Sequence, residues 1–219
     1  MRTQNSIERV FWKLPNIKNR TTNFIISVMD ISNLYRELRK GAESGAKALL
    51  GWELINETEH GIISGYIVET EAYTQLDPAS HAYKGQTARN SAMFGPAGTI
   101  YVYFTYGMHY CVNIVSGESG VGEAVLIRAL QPANGIELMK IQRKTEELTQ
   151  LTNGPAKLVQ ALGITQEHNA TAIGNGSLRL KPGLIVETID VAVGPRIGIS
   201  KATEELQRFY LKNNHFISR

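Results

Sequence analysis

The sequence has 219 residues, of which 42% are hydrophobic and 20% charged, and its formal net charge is +3. No apolar run approaches the roughly 20 residues that a membrane-spanning helix needs, and the single cysteine, Cys111, has no partner for an internal disulfide or a Cys-rich zinc site. This composition excludes a membrane-spanning protein and a disulfide scaffold, and we expect one compact domain without a secretory signal.

Residues 1–28 differ in charge from the rest of the chain. They carry a net charge of +4, whereas the remaining 191 residues sum to −1. Because they also lack sustained periodicity, we predict a loosely held basic tail over 1–28 and a single domain over 29–219. The domain is close to neutral, so overall charge does not by itself indicate nucleic-acid binding.

The first predicted elements of the domain are helical. Apolar residues at helical spacing predict one or two short helices over 31–50. We expect breaks near Gly41 and Gly45, since glycine is unfavourable in a helix interior.

From residue 52 onward the pattern is that of strands with two further helices between them. Apolar and β-branched runs predict strands at 52–55, 61–70, 99–105, 110–115, 123–130, 184–193, 197–199 and 209–212. Turns are expected at 56–59 and 106–109, and helices at 135–148 and 156–162, the latter with Asn153 as cap and Pro155 at the first helical position. This order predicts an α+β domain with a mainly antiparallel β-sheet core, surrounding helices and a protruding β-hairpin.

The segment 65–73 carries two carboxylates and runs into a long loop, 74–98. If the segment is extended, Glu69, Glu71 and Tyr73 lie on one face. Taken alone, this pattern is more typical of the solvated face of a half-buried strand. The long loop favours a functional role for this region, because long loops on compact domains are often functional.

The predicted hairpin is unusually rich in tyrosine. Alternation places Tyr101, Tyr103 and Thr105 on one face, while Tyr106 falls at the tip beside Gly107. A tyrosine at a protruding turn acts as a partner anchor or wedge, or else packs across the strands. The hairpin residues by themselves leave both interpretations open.

Six sequence blocks then follow one another in a characteristic order. They are 67–73 (IVETEAY), 88–94 (ARNSAMF), 98–108 (GTIYVYFTYGM), 111–114 (CVNI), 125–130 (VLIRAL) and 154–158 (GPAKL). Together they resemble the alkyladenine (3-methyladenine, methylpurine) DNA glycosylase family, and the similarity runs from about Ala46 to Lys212. Six ordered blocks are far more specific than one motif.

The resemblance implies three groups that act on water. Glu71 matches the family's catalytic base, which orients and deprotonates the attacking water. Arg128 and the backbone carbonyl of Ile197 match the other two groups that hold this water.

The resemblance also implies how substrate and DNA are bound. Tyr73, His81 and Tyr103 match the aromatic walls that stack on the extruded base, and Asn113 matches a steric gate against the exocyclic amine of guanine. Tyr106 matches the residue that enters the minor groove and fills the gap left by the flipped nucleotide. For the DNA backbone, we consider Arg89 and Arg196 as candidate phosphate contacts.

The implied activity is that of a monofunctional hydrolase, with no cofactor and no metal. The expected partner is double-stranded DNA containing damaged purines, bound by a monomer that needs neither a membrane nor an obligate protein partner. In a bacterium such a protein is expected in the cytoplasm with the nucleoid, and in another source a nuclear or organellar location stays open.

Two other functions remain open at this point. Glu69 and Glu71, about 7 Å apart along a strand, have the separation of an inverting glycoside hydrolase pair, although they project from the same side. A module that binds or flips bases without hydrolysis is the other alternative. The sequence does not choose among 3-methyladenine, 7-methylguanine, hypoxanthine and ethenoadenine as substrates.

Overall fold

The computed structural model describes residues 30–105, 109–174 and 176–218. Within these ranges the helices are α1 (Ile31–Arg39), α2 (Ala42–Leu49), α3 (Ile136–Arg143) and α4 (Pro155–Leu162). The strands are β1 (Glu53–Thr58), β2 (Gly61–Tyr73), β3 (Ile100–Thr105), β4 (His109–Val115), β5 (Ala124–Asn134), β6 (Leu178–Lys181), β7 (Val191–Gly194) and β8 (Arg208–Leu211). All eight strands belong to one antiparallel sheet, which confirms the predicted α+β class.

The long strand β2 organises the sheet. Its first half pairs with β1, its second half pairs with β8, and β5 runs along its other edge. The main path of the sheet is β3-β4-β5-β2-β1-β6. The register between β2 and β5 shifts between Ile67 and Glu69, so the strand is irregular just where its two carboxylates begin.

The main hydrophobic core lies between this sheet and the helices. It includes the fully buried residues Leu38 of α1, Leu49 of α2, Leu162 of α4, and Ile63 and Ile127 of the sheet. Burial of such side chains contributes roughly 1.5–3 kcal/mol each, so this core fixes the strands that carry the candidate site.

A second, smaller core attaches the long loop to the sheet. Ala82, Met93 and Phe94 from the loop pack against Tyr101 of β3 and Ala124 of β5. A 3₁₀ turn over Ser91–Phe94 brings two of these loop residues inward. The loop is therefore an ordered part of the domain rather than a passive connection.

The helical region differs from prediction at one of its two glycines. Gly41 separates α1 from α2 as expected, with a φ of 121° that favours glycine. Gly45 lies inside α2, where a break was expected. A Cβ at Gly45 would lie 2.9 Å from Cδ2 of Leu38, so this glycine permits close packing of the two helices instead of ending one.

The hairpin turn predicted at 56–59 lies at 59–60 instead, because β1 continues to Thr58, which pairs with Gly61. Asn56, which is typical of turns, is buried in the strand, where its Nδ2 donates to the carbonyl oxygen of Leu162 at 2.8 Å. A tertiary hydrogen bond thus replaces the local one that makes asparagine favourable in turns.

The two later helices each differ from prediction in one respect, the first in where it ends and the second in its cap. The first stops at Arg143 because Lys144 adopts a left-handed conformation with φ 52°. In α4, Pro155 begins the helix as predicted, but the cap is Gly154. Asn153 instead accepts a hydrogen bond from Nζ of Lys157 at 2.8 Å.

The predicted strand 209–212 is confirmed as β8, but the other strands after residue 170 differ from prediction. β6 was missed, and the predicted strand 184–193 is reduced to β7. Ile185 and Ile189 in the lost part are 79% and 73% exposed, so their β-branched side chains have no sheet surface to pack on. The predicted strand 197–199 is irregular chain.

The strands of the tyrosine-rich hairpin are confirmed. β3 and β4 pair in register from Ile100 opposite Ile114 to Thr105 opposite His109. The tip, with Tyr106, lies outside the described residues, as does the predicted tail 1–28. The protruding tip and the basic tail therefore stay predictions. None of the helices in the described ranges is long and apolar enough to cross a membrane.

Candidate active site

A cavity of about 460 Å³ opens beside the second half of β2. Its walls come from β2, β3, β4 and β5, from the long loop and from the chain at 197–201. The structure brings together there the predicted residues Glu71, Tyr73, His81, Tyr103, Asn113, Arg128 and Ile197. Their convergence agrees with one common site.

Glu71, Arg128 and Ile197 form the polar end of the cavity. Oε1 of Glu71 accepts a hydrogen bond from the backbone N–H of Ile197 at 2.9 Å and lies 3.2 Å from Nη1 of Arg128. The same Nη1 donates to the carbonyl oxygen of Ile197 at 3.3 Å. A carboxylate, a guanidinium and a carbonyl oxygen thus meet at one point of the wall, which is a set of groups that can hold a water molecule.

The sheet explains why these groups meet. Glu71 lies opposite Leu126 of β5, and Arg128 follows two residues later on the same face of that strand. Arg128 contacts both Glu69 and Glu71, which confirms that the two carboxylates share one side of β2. The Glu71 side chain is fully buried, so its charge depends on these donors.

Tyr73 completes the environment of this carboxylate. Its hydroxyl donates to Oε2 of Glu71 at 2.8 Å. The guanidinium of Arg196 lies over its ring, 4.6 Å from the ring centroid. Burial, together with the neighbouring Glu71 charge, raises the pKa of Tyr73 well above its usual range. The hydroxyl therefore keeps its proton and acts as a donor.

His81 and Tyr103 form an aromatic wall. Their ring centroids are 4.4 Å apart in an edge-to-face arrangement, and Tyr101 lies 5.5 Å from Tyr103. Nδ1 of His81 is 3.1 Å from the hydroxyl of Tyr101, whose pKa is raised to about 12 by burial. Loss of water from the packed side of the His81 ring, and the charge of Arg89, lower the pKa of this histidine.

The floor of the cavity is formed by β4. Asn113 is buried, and its Nδ2 donates across the hairpin to the carbonyl oxygen of Tyr101 at 3.0 Å. This bond fixes the orientation of the amide. Cys111 neighbours it, and burial raises the pKa of its thiol, which is hydrogen-bonded to Tyr103. Cys111 is therefore a protonated packing residue.

The side chain of Arg196 is not at the surface, where a contact with a DNA phosphate would require it. Its side chain is fully buried, where it forms a close ion pair with Asp77 and donates to the carbonyl oxygen of Ala72 at 3.0 Å. Nη2 of Arg196 also lies 3.4 Å from Glu205. This environment favours a structural role, in which Arg196 ties the start of the long loop to β2.

Arg89, in contrast, is exposed at the mouth of the site. Its Nη2 donates to the carbonyl oxygen of Phe104 at 2.8 Å. It lines a shallower cavity of about 360 Å³ that shares His81 and Lys201 with the main one and also includes Lys84. Three cationic side chains therefore border the entrance.

Sequence reasoning overlooked several residues of this region. Lys201 and Met93 line the cavity, but the resemblance implies no role for either of them, although Met93 lies within the sequence block 88–94. Ser218 contacts both Arg128, 90 residues earlier in the sequence, and Glu69, 149 residues earlier. No local pattern predicts such contacts. In the ranges given above, no three His, Cys, Asp or Glu side chains are grouped so that they could hold a metal ion.

Comparison with known proteins agrees with the resemblance of the sequence blocks. The family model described as methylpurine-DNA glycosylase matches residues 36–215. A protein of Francisella tularensis subsp. tularensis is 48% identical over 193 residues, which cover 86% of this chain and all of the relative. Relatives from Carboxydothermus hydrogenoformans and Methanoculleus marisnigri are 49% and 48% identical and are each covered to 92%. All three are named as candidate 3-methyladenine DNA glycosylases.

Proposed function

The chain belongs to the methylpurine-DNA glycosylase family, and from this premise we propose how its site works. We propose that it flips alkylated or deaminated purines out of duplex DNA and hydrolyses their N-glycosidic bond, which leaves an abasic site for base excision repair. The observation that carries the proposal is the meeting of Glu71, Arg128 and the Ile197 carbonyl on the wall of an aromatic cavity.

A water held by these three groups is the proposed nucleophile. Its oxygen attacks C1′ of the sugar while Glu71 takes one of its protons, and the C1′–N9 bond breaks with its electron pair going to the purine. A cationic purine thereby leaves as a neutral base, whereas a neutral purine such as hypoxanthine leaves as an anion and takes a proton from solvent water. The products are the free base and an abasic sugar with a hydroxyl on C1′. The negative charge of Glu71 also stabilises the oxocarbenium-like sugar as the bond breaks.

The aromatic walls support the choice of alkylated purines. Extruding a base from the stack costs a few kcal/mol, and stacking between Tyr73, His81 and Tyr103 offsets about 1–3 kcal/mol per base–aromatic contact. Purines that carry a positive charge gain further from the faces of tyrosine rings. They are also good leaving groups, so one carboxylate base suffices for hydrolysis.

The structure argues against a glycoside hydrolase that uses Glu69 and Glu71 as its carboxylate pair. Glu69 is fully buried and does not line the cavity. Both oxygens of Glu69 already accept hydrogen bonds from Ser218. A water or a sugar therefore has no access to this second carboxylate.

Release of free bases from damaged DNA tests the proposal directly. Purified protein is incubated without added metal, under single-turnover conditions, with duplexes that carry one hypoxanthine and with methylated DNA. We expect base release by the wild type and a loss of at least about a hundredfold in Glu71→Gln, since that variant lacks the base. The matched control is Glu57→Gln, which makes the same change on β1, where Glu57 pairs with Arg179 of β6. This variant should keep the wild-type rate.

Two results would contradict the proposal. Binding of these duplexes without base release would favour the non-catalytic module. The second is strand cleavage together with a protein–DNA adduct that borohydride traps in the wild type but not in Lys201→Ala. Such an adduct would show an imine between this lysine, which lines the cavity, and the abasic sugar, so the enzyme would not be monofunctional. The duplex partner, the monomeric state and the cytoplasmic location remain part of the proposal.

A further inference from the structure

Close to Glu71 lies a buried carboxylate that the proposed mechanism does not use. Glu69 lies two residues before Glu71, does not line the cavity and is fully buried. An isolated buried charge is strongly unfavourable, so its partners decide what it does.

Those partners are two arginines and a serine. Oε1 of Glu69 lies 3.3 Å from Nε of Arg128 and accepts from Nη1 of Arg208 at 3.0 Å. Ser218 reaches both oxygens, since its hydroxyl donates to Oε1 at 2.9 Å and its backbone N–H donates to Oε2 at 2.6 Å. Two carboxylates and two guanidiniums, counted with Glu71, balance each other in this cluster.

The hydroxyl of Ser218 also connects Glu69 to Arg128. It accepts a hydrogen bond from Nε of Arg128 at 2.9 Å while donating its own proton to Glu69. One side of the guanidinium is thus fixed by Ser218, and Nη1 faces Glu71 and the Ile197 carbonyl. The orientation of Arg128 at the water site depends on a bond made on its opposite side.

Ser218 is held in place by contacts other than its own hydroxyl. Asn214 donates to the side chain of Gln131 at 2.9 Å and accepts from the backbone of Phe216 at the same distance. Phe216 and Ile217 pack against the main core. Removing the hydroxyl therefore leaves the segment 212–218 attached to the sheet.

We propose that Ser218, together with Glu69, is a positioning residue that holds Arg128 against Glu71 and the Ile197 carbonyl. This inference rests on the proposed function, and it makes the segment after β8 part of the active site. Ser218 lies beyond the residues that the family model matches, so its role comes from the contacts and not from the family.

The test compares Ser218→Ala with Ser64→Ala. Ser64 is a buried serine on β2 that donates to the buried Glu53 at 2.5 Å, remote from the cavity, so it is a matched control for losing a serine–carboxylate bond. We expect Ser218→Ala to lower the single-turnover rate about tenfold, as loss of a hydrogen bond to a charged group does, with DNA affinity unchanged.

A second readout does not need activity. The Nε–H signal of Arg128, identified by its loss in Arg128→Lys, should be protected from solvent exchange in the wild type and in Ser64→Ala and lose protection in Ser218→Ala. If the wild type releases no base, the proposed function fails and this signal alone decides the positioning role. Unchanged protection in Ser218→Ala, or an equal fall in rate in both serine variants, would overturn the inference.

Discussion

His81 is a cavity residue whose charge can change near neutral pH. Loss of water from the side of its ring that packs against the tyrosines, together with the charge of Arg89, lowers its pKa, so the ring is neutral at pH 7 and gains a proton only as the pH falls below the ordinary value of about 6.5. A neutral wall accepts both charged and uncharged purines. A protonated wall repels the charged ones.

This property predicts a pH-dependent choice of substrate. Between pH 7.5 and 5.5, kcat/KM for the cationic 7-methylguanine should fall relative to that for neutral hypoxanthine by about fivefold, which corresponds to about 1 kcal/mol of repulsion at 4 Å in water. In His81→Asn the ratio should change less over the same range. Equal pH dependence of the ratio in both proteins would show that His81 does not cause it.

Site residues that a local pattern places could be predicted from the sequence, whereas those placed by long-range contacts could not. Strand alternation was enough to place Glu69, Glu71 and Tyr73 together, because a strand fixes the faces of its own residues. The burial of Arg196 could not be predicted, since it depends on Asp77 and Glu205 from other parts of the chain. The sequence blocks also gave no sign of Ser218 beside Arg128.

Among the elements, the long loop supplies four cavity residues, including His81, and its attachment depends on a close approach at Gly122. A Cβ at Gly122 would lie 2.4 Å from Cβ of Ala82 and 2.7 Å from Cζ of Phe94. Ala82 directly follows His81. The loop can therefore hold His81 against Tyr103 only while residue 122 has no side chain.

Gly122→Ala should consequently weaken both stability and catalysis. We expect the free energy of unfolding to fall by about 1–3 kcal/mol, as in other overpacked cores, and the rate of base release to fall as His81 is displaced. Urea denaturation and single-turnover kinetics measure the two effects. Gly174→Ala is the control, because its nearest neighbour is the Tyr35 hydroxyl at 3.7 Å, and equal effects of both substitutions would contradict the packing argument.

Element prediction was most reliable where pattern and tertiary packing agree. β3 and β4 were placed to within a residue, since their apolar faces lie on the core. The segment 184–190 was misassigned because β-branched residues favour strands only when a neighbouring strand is present. Gly45 was misread because close packing of two helices is invisible to local propensity.

For the molecule as a whole, the relevant charge is a local group of three cations and not the net charge. The domain is nearly neutral, yet Lys84, Arg89 and Lys201 border the cavity entrance. Phosphates lie on both sides of any extruded nucleotide, so cations at this edge can orient the duplex without reading its sequence.

Salt dependence of DNA binding tests this arrangement. Arg89→Ala should weaken binding and reduce the slope of log K against log salt by about 1, as loss of one phosphate contact does, while the rate at saturating enzyme stays unchanged. Arg179→Ala removes an arginine that pairs with Glu57 at the β1–β6 edge, and it should leave the slope as it is. An unchanged slope in Arg89→Ala would exclude this phosphate contact.

The division of the cavity between sheet and loop has a consequence for evolution and engineering. Glu71 and Arg128 lie on the two central strands β2 and β5, whereas His81 belongs to the loop 74–98. In the proposed function His81 stacks on the extruded base, so mutations in the loop can change which lesion is admitted while Glu71 and Arg128 stay in place on the sheet. A library randomised around His81 is therefore a suitable starting point for selecting repair enzymes with new lesion preferences.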